Sequence, residues 1–139
     1  VSIIDDLKRD EGAVLIAGRH RVYRDSLGLD TIGYGRLLSR GLSEDEALYL
    51  LENDIKDAEA QAGKYDWFHD LDEVRQAVVT EMLFNIGPDR FNGFALMKAA
   101  LDRRDYVEAA HQMRASKWAE QVKGRATRLA AMMETGKWP

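Results

Sequence analysis

The chain has 139 residues, 45% hydrophobic and 32% charged, with a formal net charge of −4 and no cysteine. This is a single domain of ordinary size with enough apolar side chains for a packed core, and it excludes disulfides, thiolate metal sites and, through the negative balance, nucleic acid as the main ligand. The charge is uneven, 10 Lys and Arg against 19 Asp and Glu before residue 90 and 10 against 5 from there on, so a basic face for an anionic polymer would lie in the C-terminal part, and otherwise these charges are solvated helix faces. No long uninterrupted apolar run occurs, and Val1-Ser2-Ile3-Ile4-Asp5-Asp6 lacks the basic head and apolar body of a secretion signal, so no stable membrane insertion is expected of this chain. An upstream segment stays open, because the chain does not begin with Met.

In chain order, Ser2 with Asp5 reads as a helix start, and Gly12 is placed to end that helix in a left-handed turn with Glu11 its last residue. From Val14 to about Ile32 short β-prone stretches broken by glycine predict a small antiparallel sheet of two or three strands, with Asp25-Ser26-Leu27-Gly28 as its turn. Ser43 and Glu46 form a capping box for a helix running to about Ala62. Leu71, Val74, Ala77, Val78 and Leu83 recur at helical spacing up to the stop at Gly87-Pro88. Three further helices follow: near Phe94 to Leu101, after Asp105 with Glu108, and from about Arg125 to Met133 closed by Gly136. The pattern predicts an α+β fold, mostly helical, with a small antiparallel β-sheet lobe near the N-terminus and a cleft between lobes.

Two carboxyl groups held apart by a rigid frame are what cleavage of a glycosidic bond requires: one protonates the departing oxygen, the other works on water or on the developing cation. Glu11 at a helix end is a candidate acid, and a solvent-facing Glu among Asp6, Lys8, Arg9 and Asp10 is the plain alternative. Asp25 begins a turn, where an Asp usually bonds backbone amides, yet it can still direct one oxygen elsewhere. Asp30 is a spare carboxylate that strand alternation points away from Thr31. His20, His69 and His111 lack any metal-ligand spacing, so no metal is expected.

Glu11-Gly12, then Tyr23-Arg24-Asp25-Ser26-Leu27-Gly28, then Thr31-Ile32-Gly33-Tyr34-Gly35 resembles the phage-type lysozymes, the endolysins of glycoside hydrolase family 24. Later stretches stand in that family's order, among them Phe84-Asn85-Ile86-Gly87, Phe91-Asn92-Gly93-Phe94, Ser116-Lys117-Trp118 and Gly124-Arg125-Ala126-Thr127-Arg128, so the resemblance covers essentially the whole chain. It implies one lysozyme-like domain over 1–139, with a β-containing lobe at about 13–42, a linking helix at about 43–62, and a helical lobe at about 63–139 joined by the N-terminal helix. It implies Glu11 as general acid, Asp25 as general base or electrostatic stabiliser and Thr31 as the residue that orients the attacking water. Leu37, Phe84, Asn85, Met97 and Gln112 fall where the family lines its saccharide groove, although Leu37, Phe84 and Met97 equally suit a core. Arg125 resembles the helix-borne Arg that pairs with the catalytic Glu, and Trp118 and Trp138 are assigned to packing.

Two departures stand out. The link from Gly12 to Arg24 is longer than the family's, and an odd insertion absorbed inside a strand would turn every later side chain over, so a bulge, a lengthened hairpin or an exposed loop is required, with Ala17 to Arg21 as the protruding part. Arg36 stands where many members carry His, and Asp54 is its expected partner. The implied activity is a cofactor-free muramidase acting on peptidoglycan as a monomer, made in the host bacterial cytoplasm and acting on the wall in the periplasm. Its carboxyl groups should lie roughly 6.5–9.5 Å apart for inversion. A lytic transglycosylase and an inactive wall-binding or helical interaction module are the rivals.

Overall fold

The computed structural model describes residues 2–139, and the chain divides into two compact units, Val1–Leu48 and Tyr49–Pro139. The first unit opens with α1 (Ile3–Asp10), started by a reciprocal box: the Asp5 amide donates to the Ser2 hydroxyl at 3.2 Å and the Ser2 amide to the Asp5 carboxylate at 3.0 Å. Its end differs from expectation. Glu11 has already left the helix in an extended conformation (φ −81°, ψ 136°) while its amide still donates to the Leu7 carbonyl at 2.9 Å. Gly12 is not left-handed; the Ala13 amide donates to the Glu11 carbonyl at 2.9 Å, so a three-residue turn around Gly12 reverses the chain in place of a helical cap.

Five short strands follow in two separate sheets, where one sheet of two or three strands was expected. β1 (Val14–Ile16) and β2 (Arg19–Arg21) pair antiparallel through a two-residue turn in which Ala17 (φ 51°) and Gly18 (φ 76°) are both left-handed. That turn closes the hairpin on itself, so Arg19 to Arg21 form a paired strand rather than a loose loop. β3 (Tyr23–Arg24), β4 (Asp30–Ile32) and β5 (Arg36–Leu37) make the second sheet in sequential antiparallel order, with Tyr23 opposite Thr31 and Thr31 opposite Leu37. After a 3₁₀ turn over Leu38–Arg40, Ser43 and Glu46 form the expected box at the start of α2 (Glu44–Ala62). The Ser43 amide and hydroxyl, with Arg36 beside them, outweigh burial and hold the Glu46 carboxyl below its ordinary range.

The second unit holds the core. A 3₁₀ turn at Asp66–Asp70 buries Trp67 and Phe68, and α3 (Glu73–Asn92) is broken at Gly87 (φ 80°), where Pro88 restarts it from a position that needs no amide donor. Then come α4 (Ala95–Asp102), α5 (Tyr106–Arg114), α6 (Lys117–Val122) and α7 (Gly124–Thr135). Val78, Val79, Met82, Phe91, Met97, Leu101, Met113, Leu129 and Met133 are fully buried among them. Helix α6 was not foreseen; at six residues it is too short to show a period, and its Ser116 cap, bonded to the Ala119 amide at 3.2 Å, was the available signal. Arg75 closes the C-terminal end of α7, donating to the Met133 and Glu134 carbonyls at 2.6 and 3.0 Å while its guanidinium lies over the Tyr106 ring. No helix among the described residues is long and apolar enough to cross a membrane.

Candidate active site

Five of the site residues singled out by sequence lie in the first unit: Glu11, Asp25, Thr31, Arg36 and Leu37. Glu11, exposed at the end of α1, has its carboxyl group against Gly35: a Cβ built on Gly35 would lie 2.7 Å from Oε2 and 2.8 Å from Cδ. Gly35 is also left-handed (φ 83°), so both the backbone conformation and the approach of a carboxylate demand glycine there. Gly12 brings the chain past the Tyr23 ring, 3.9 Å from where a Cβ would stand, which places the start of the link beside its far end.

Asp25 is fixed by its own turn. Its Oδ1 accepts from the Leu27 and Leu29 amides, both at 2.9 Å, and its backbone amide donates to the Leu29 carbonyl at 3.0 Å. The Gly28 amide closes the turn on the Asp25 carbonyl at 2.9 Å. Among the described residues no bond reaches Oδ2, so one carboxylate oxygen holds the loop and the other is left over. Thr31, the buried polar side chain of this unit, donates its hydroxyl to the same Leu29 carbonyl at 2.9 Å. Asp25 and Thr31 therefore share one backbone anchor. Asp30 is exposed and pairs with Arg24 at 3.8 Å.

Arg36 ion-pairs with Glu46 and donates to the Gly41 carbonyl at 3.2 Å, so its charge is taken up inside the first unit rather than by the expected Asp54. The physical reason is local: Glu46 is already turned toward the Ser43 cap at the foot of α2, next to the end of β5. Leu37 is half-buried opposite Thr31.

The other residues belong to the second unit and fall in two grooves and a shallow depression. Phe84 and Arg125 line an apolar groove of about 750 Å³ with Leu51, Ile55, Phe68 and Trp138. Arg125 and, from outside the groove, Arg128 both approach Glu81, each at 3.6 Å. Met97 and Gln112 line a second groove of about 410 Å³ with Arg90, Ser116, Lys117 and Trp118; Met97 is fully buried at its floor. Asn85 accepts from the Trp118 indole N–H at 2.8 Å, a polar use for a tryptophan that sequence had assigned to packing alone. Asp54 lines a depression of about 300 Å³ with Phe84 and Pro88. Among the described residues no three His, Asp or Glu side chains converge as a metal site would need. Sequence reading missed Gly35 as the wall against Glu11, for which its place in Gly33-Tyr34-Gly35 was the available signal. It also missed Arg90 and Lys117, two cations in a groove that contains no carboxylate.

The chain is 26% identical to a protein named probable T4-type lysozyme 1 of Dictyostelium discoideum and 25% identical to probable T4-type lysozyme 2 of the same organism, over 97% of this chain and 95% of theirs in both cases. It is also 26% identical over 98% of its length to the pre-baseplate central spike protein Gp5 of Enterobacteria phage T4, where the match spans 28% of that protein. The model of the family described as phage lysozyme matches residues 13–134, most of the chain, and the chain therefore belongs to the phage lysozyme family, as a lysozyme-type glycoside hydrolase of the bacterial cell wall.

Proposed function

We propose that this lysozyme is a muramidase that hydrolyses the β-1,4 bond between N-acetylmuramic acid and N-acetylglucosamine of peptidoglycan, with inversion. The observation that supports the reading is the different setting of its two carboxyl groups. Glu11 stands against a glycine that gives it room, and Asp25 is locked through one oxygen with the other unused. In the reaction the Glu11 proton goes to the departing glycosidic oxygen while Asp25 Oδ2 takes a proton from water, whose oxygen bonds to the anomeric carbon from the opposite face. Thr31 donates its hydroxyl hydrogen bond to the Leu29 carbonyl, so in this reading its oxygen is left to accept from that water. Arg36, Leu37, Asp54, Phe84, Asn85, Met97, Gln112 and Arg125 are supporting and saccharide-binding residues in this reading.

The absence of cysteine suits a monomeric enzyme made in a reducing cytoplasm that acts in an oxidising periplasm. Digestion of purified peptidoglycan tests the proposal. Reducing-end N-acetylmuramic acid, released first as the α-anomer, is the expected product. A 1,6-anhydro sugar would show a lytic transglycosylase, a β-anomer would show retention, and no product would favour an inactive wall-binding module.

A further inference from the structure

The β1–β2 hairpin is not used by the chemistry above, and its composition is unlike the rest of the first unit. Residues 13–22 hold four branched aliphatic side chains, two arginines and a histidine, and no carboxylate, in a chain whose net charge is −4. The register puts Val14 opposite Arg21, Leu15 opposite His20 and Ile16 opposite Arg19. Opposed residues share a face and neighbours alternate, so one face carries Val14, Ile16, Arg19 and Arg21, and the other carries Leu15 and His20. The second face meets its own unit at His20, whose ring contacts the Tyr34 ring edge-on at 4.9 Å between centroids. The first face is open at Ile16, 58% exposed, and at Val14, 38%; Leu15 on the other face is also half-exposed, so aliphatic surface surrounds the tip. Neither Arg19 nor Arg21 has a carboxylate partner among the described residues, whereas elsewhere in this unit Arg9 meets two, Arg24 and Arg36 one each, and Arg40 alone of the others has none.

We propose that this face is a docking surface for an anionic phospholipid bilayer. Aliphatic side chains around a small Ala17-Gly18 tip, flanked by unpaired guanidinium groups, match the layering of an interface in which acyl chains lie beneath phosphates. The face offers neither aromatic ring nor amide, the groups with which a protein grips sugar rings and hydroxyls, so the wall polysaccharide is the poorer match. The hairpin is roughly 10 Å long, enough for its tip to reach the headgroup boundary while the rest of the unit stays in water. Contact of this kind is reversible and peripheral. Its electrostatic part fades with salt, since each arginine near an anionic surface strengthens binding about fivefold and is screened over a Debye length.

The test is co-sedimentation of the whole chain with vesicles of phosphatidylcholine alone and of phosphatidylcholine mixed with phosphatidylglycerol. The parent should bind the mixed vesicles and not the neutral ones. The double variant Arg19→Gln/Arg21→Gln should bind about 25-fold more weakly, Ile16→Ser should also weaken binding, and both should lyse permeabilised cells at the parent rate, which verifies that they fold. A control pair in the second unit, Arg103→Gln/Arg104→Gln, should bind as the parent does. The proposal is overturned if the parent does not bind the mixed vesicles, if the hairpin and control variants lose binding equally, or if the hairpin variant keeps vesicle binding but loses binding to purified sacculi.

Discussion

Replacing Gly35 by alanine separates the position of Glu11 from the stability of the fold. A Cβ at residue 35 would stand 2.7 Å from Glu11 Oε2, and ordinary contact begins near 3.4 Å, so the carboxyl group must retreat by about 0.7 Å. Glu11 is the flexible end of an exposed side chain, so the retreat itself costs the fold little. What the fold loses is the left-handed backbone at φ 83°, worth about 1–2 kcal/mol for any residue with a Cβ. Gly33→Ala supplies the comparison: Gly33 is also left-handed (φ 64°), but its Cβ would meet nothing within 4 Å. Both variants should therefore lose a few degrees of melting temperature by similar amounts. Only Gly35→Ala should lose turnover, by tens-fold to about a hundredfold, since a misplacement approaching 1 Å costs on that order. Thermal melts and initial rates of turbidity clearing measure the two effects side by side. Equal rates for the two variants would refute the placement of the acid against Gly35.

Glu11→Gln should leave the melt unchanged and slow lysis by about a hundredfold or more; Asp25→Asn should do the same, because an amide oxygen still accepts from Leu27 and Leu29 while the base is gone. Removing the whole hairpin, Val14 to Arg21, should preserve lysis of permeabilised cells, whereas deleting Ala17 to Arg21 alone should produce an aggregating protein by leaving β1 unpaired, and gel filtration with rate assays separates these outcomes. Burial raises the Asp72 carboxyl, but bonds from the Arg75 amide and guanidinium outweigh it and leave it below its ordinary value. Its contribution is thus present above the ordinary carboxylate value and is lost as pH falls through the lowered folded value. Asp72→Asn, which keeps the helix cap, should therefore cost under about 1 kcal/mol at neutral pH and match the parent in acid, read from denaturant melts across pH.

Helices announced themselves in this sequence wherever a cap and a period coincided. Ser43 with Glu46 and Asp105 with Glu108 each marked a start, and Gly87 and Gly136 each marked a break. Where one signal was missing the reading slipped: α6 has a cap but too few turns, and the glycine after Glu11 looked like a helix terminator although Glu11 ends the helix by itself. The chemistry-bearing side chains were legible as residue types, their partners less so. Nothing local says that Arg36 will choose Glu46, because the choice depends on where the capping box aims its carboxylate. Nor does a Gly-x-Gly state that one of its glycines will face a carboxyl group from another element.

The lengthened link shows why some insertions disturb a site and others do not. A residue added within a strand inverts all that follows, but a hairpin returns the chain to its starting point whatever its length, since its first and last residues are opposed. Here Val14 is opposite Arg21, and the chain that left Gly12 arrives at Tyr23, whose ring lies next to Gly12. From Tyr23 onward the frame is internal: Tyr23 pairs with Thr31, Thr31 with Leu37, and the turn between is tied by Asp25 to Leu27 and Leu29. None of these bonds refers to the hairpin. The acid proposed before the hairpin and the base proposed after it can thus keep their places while the hairpin itself is free to acquire another use, and an aliphatic, carboxylate-free hairpin on an acidic chain is what such freedom leaves visible.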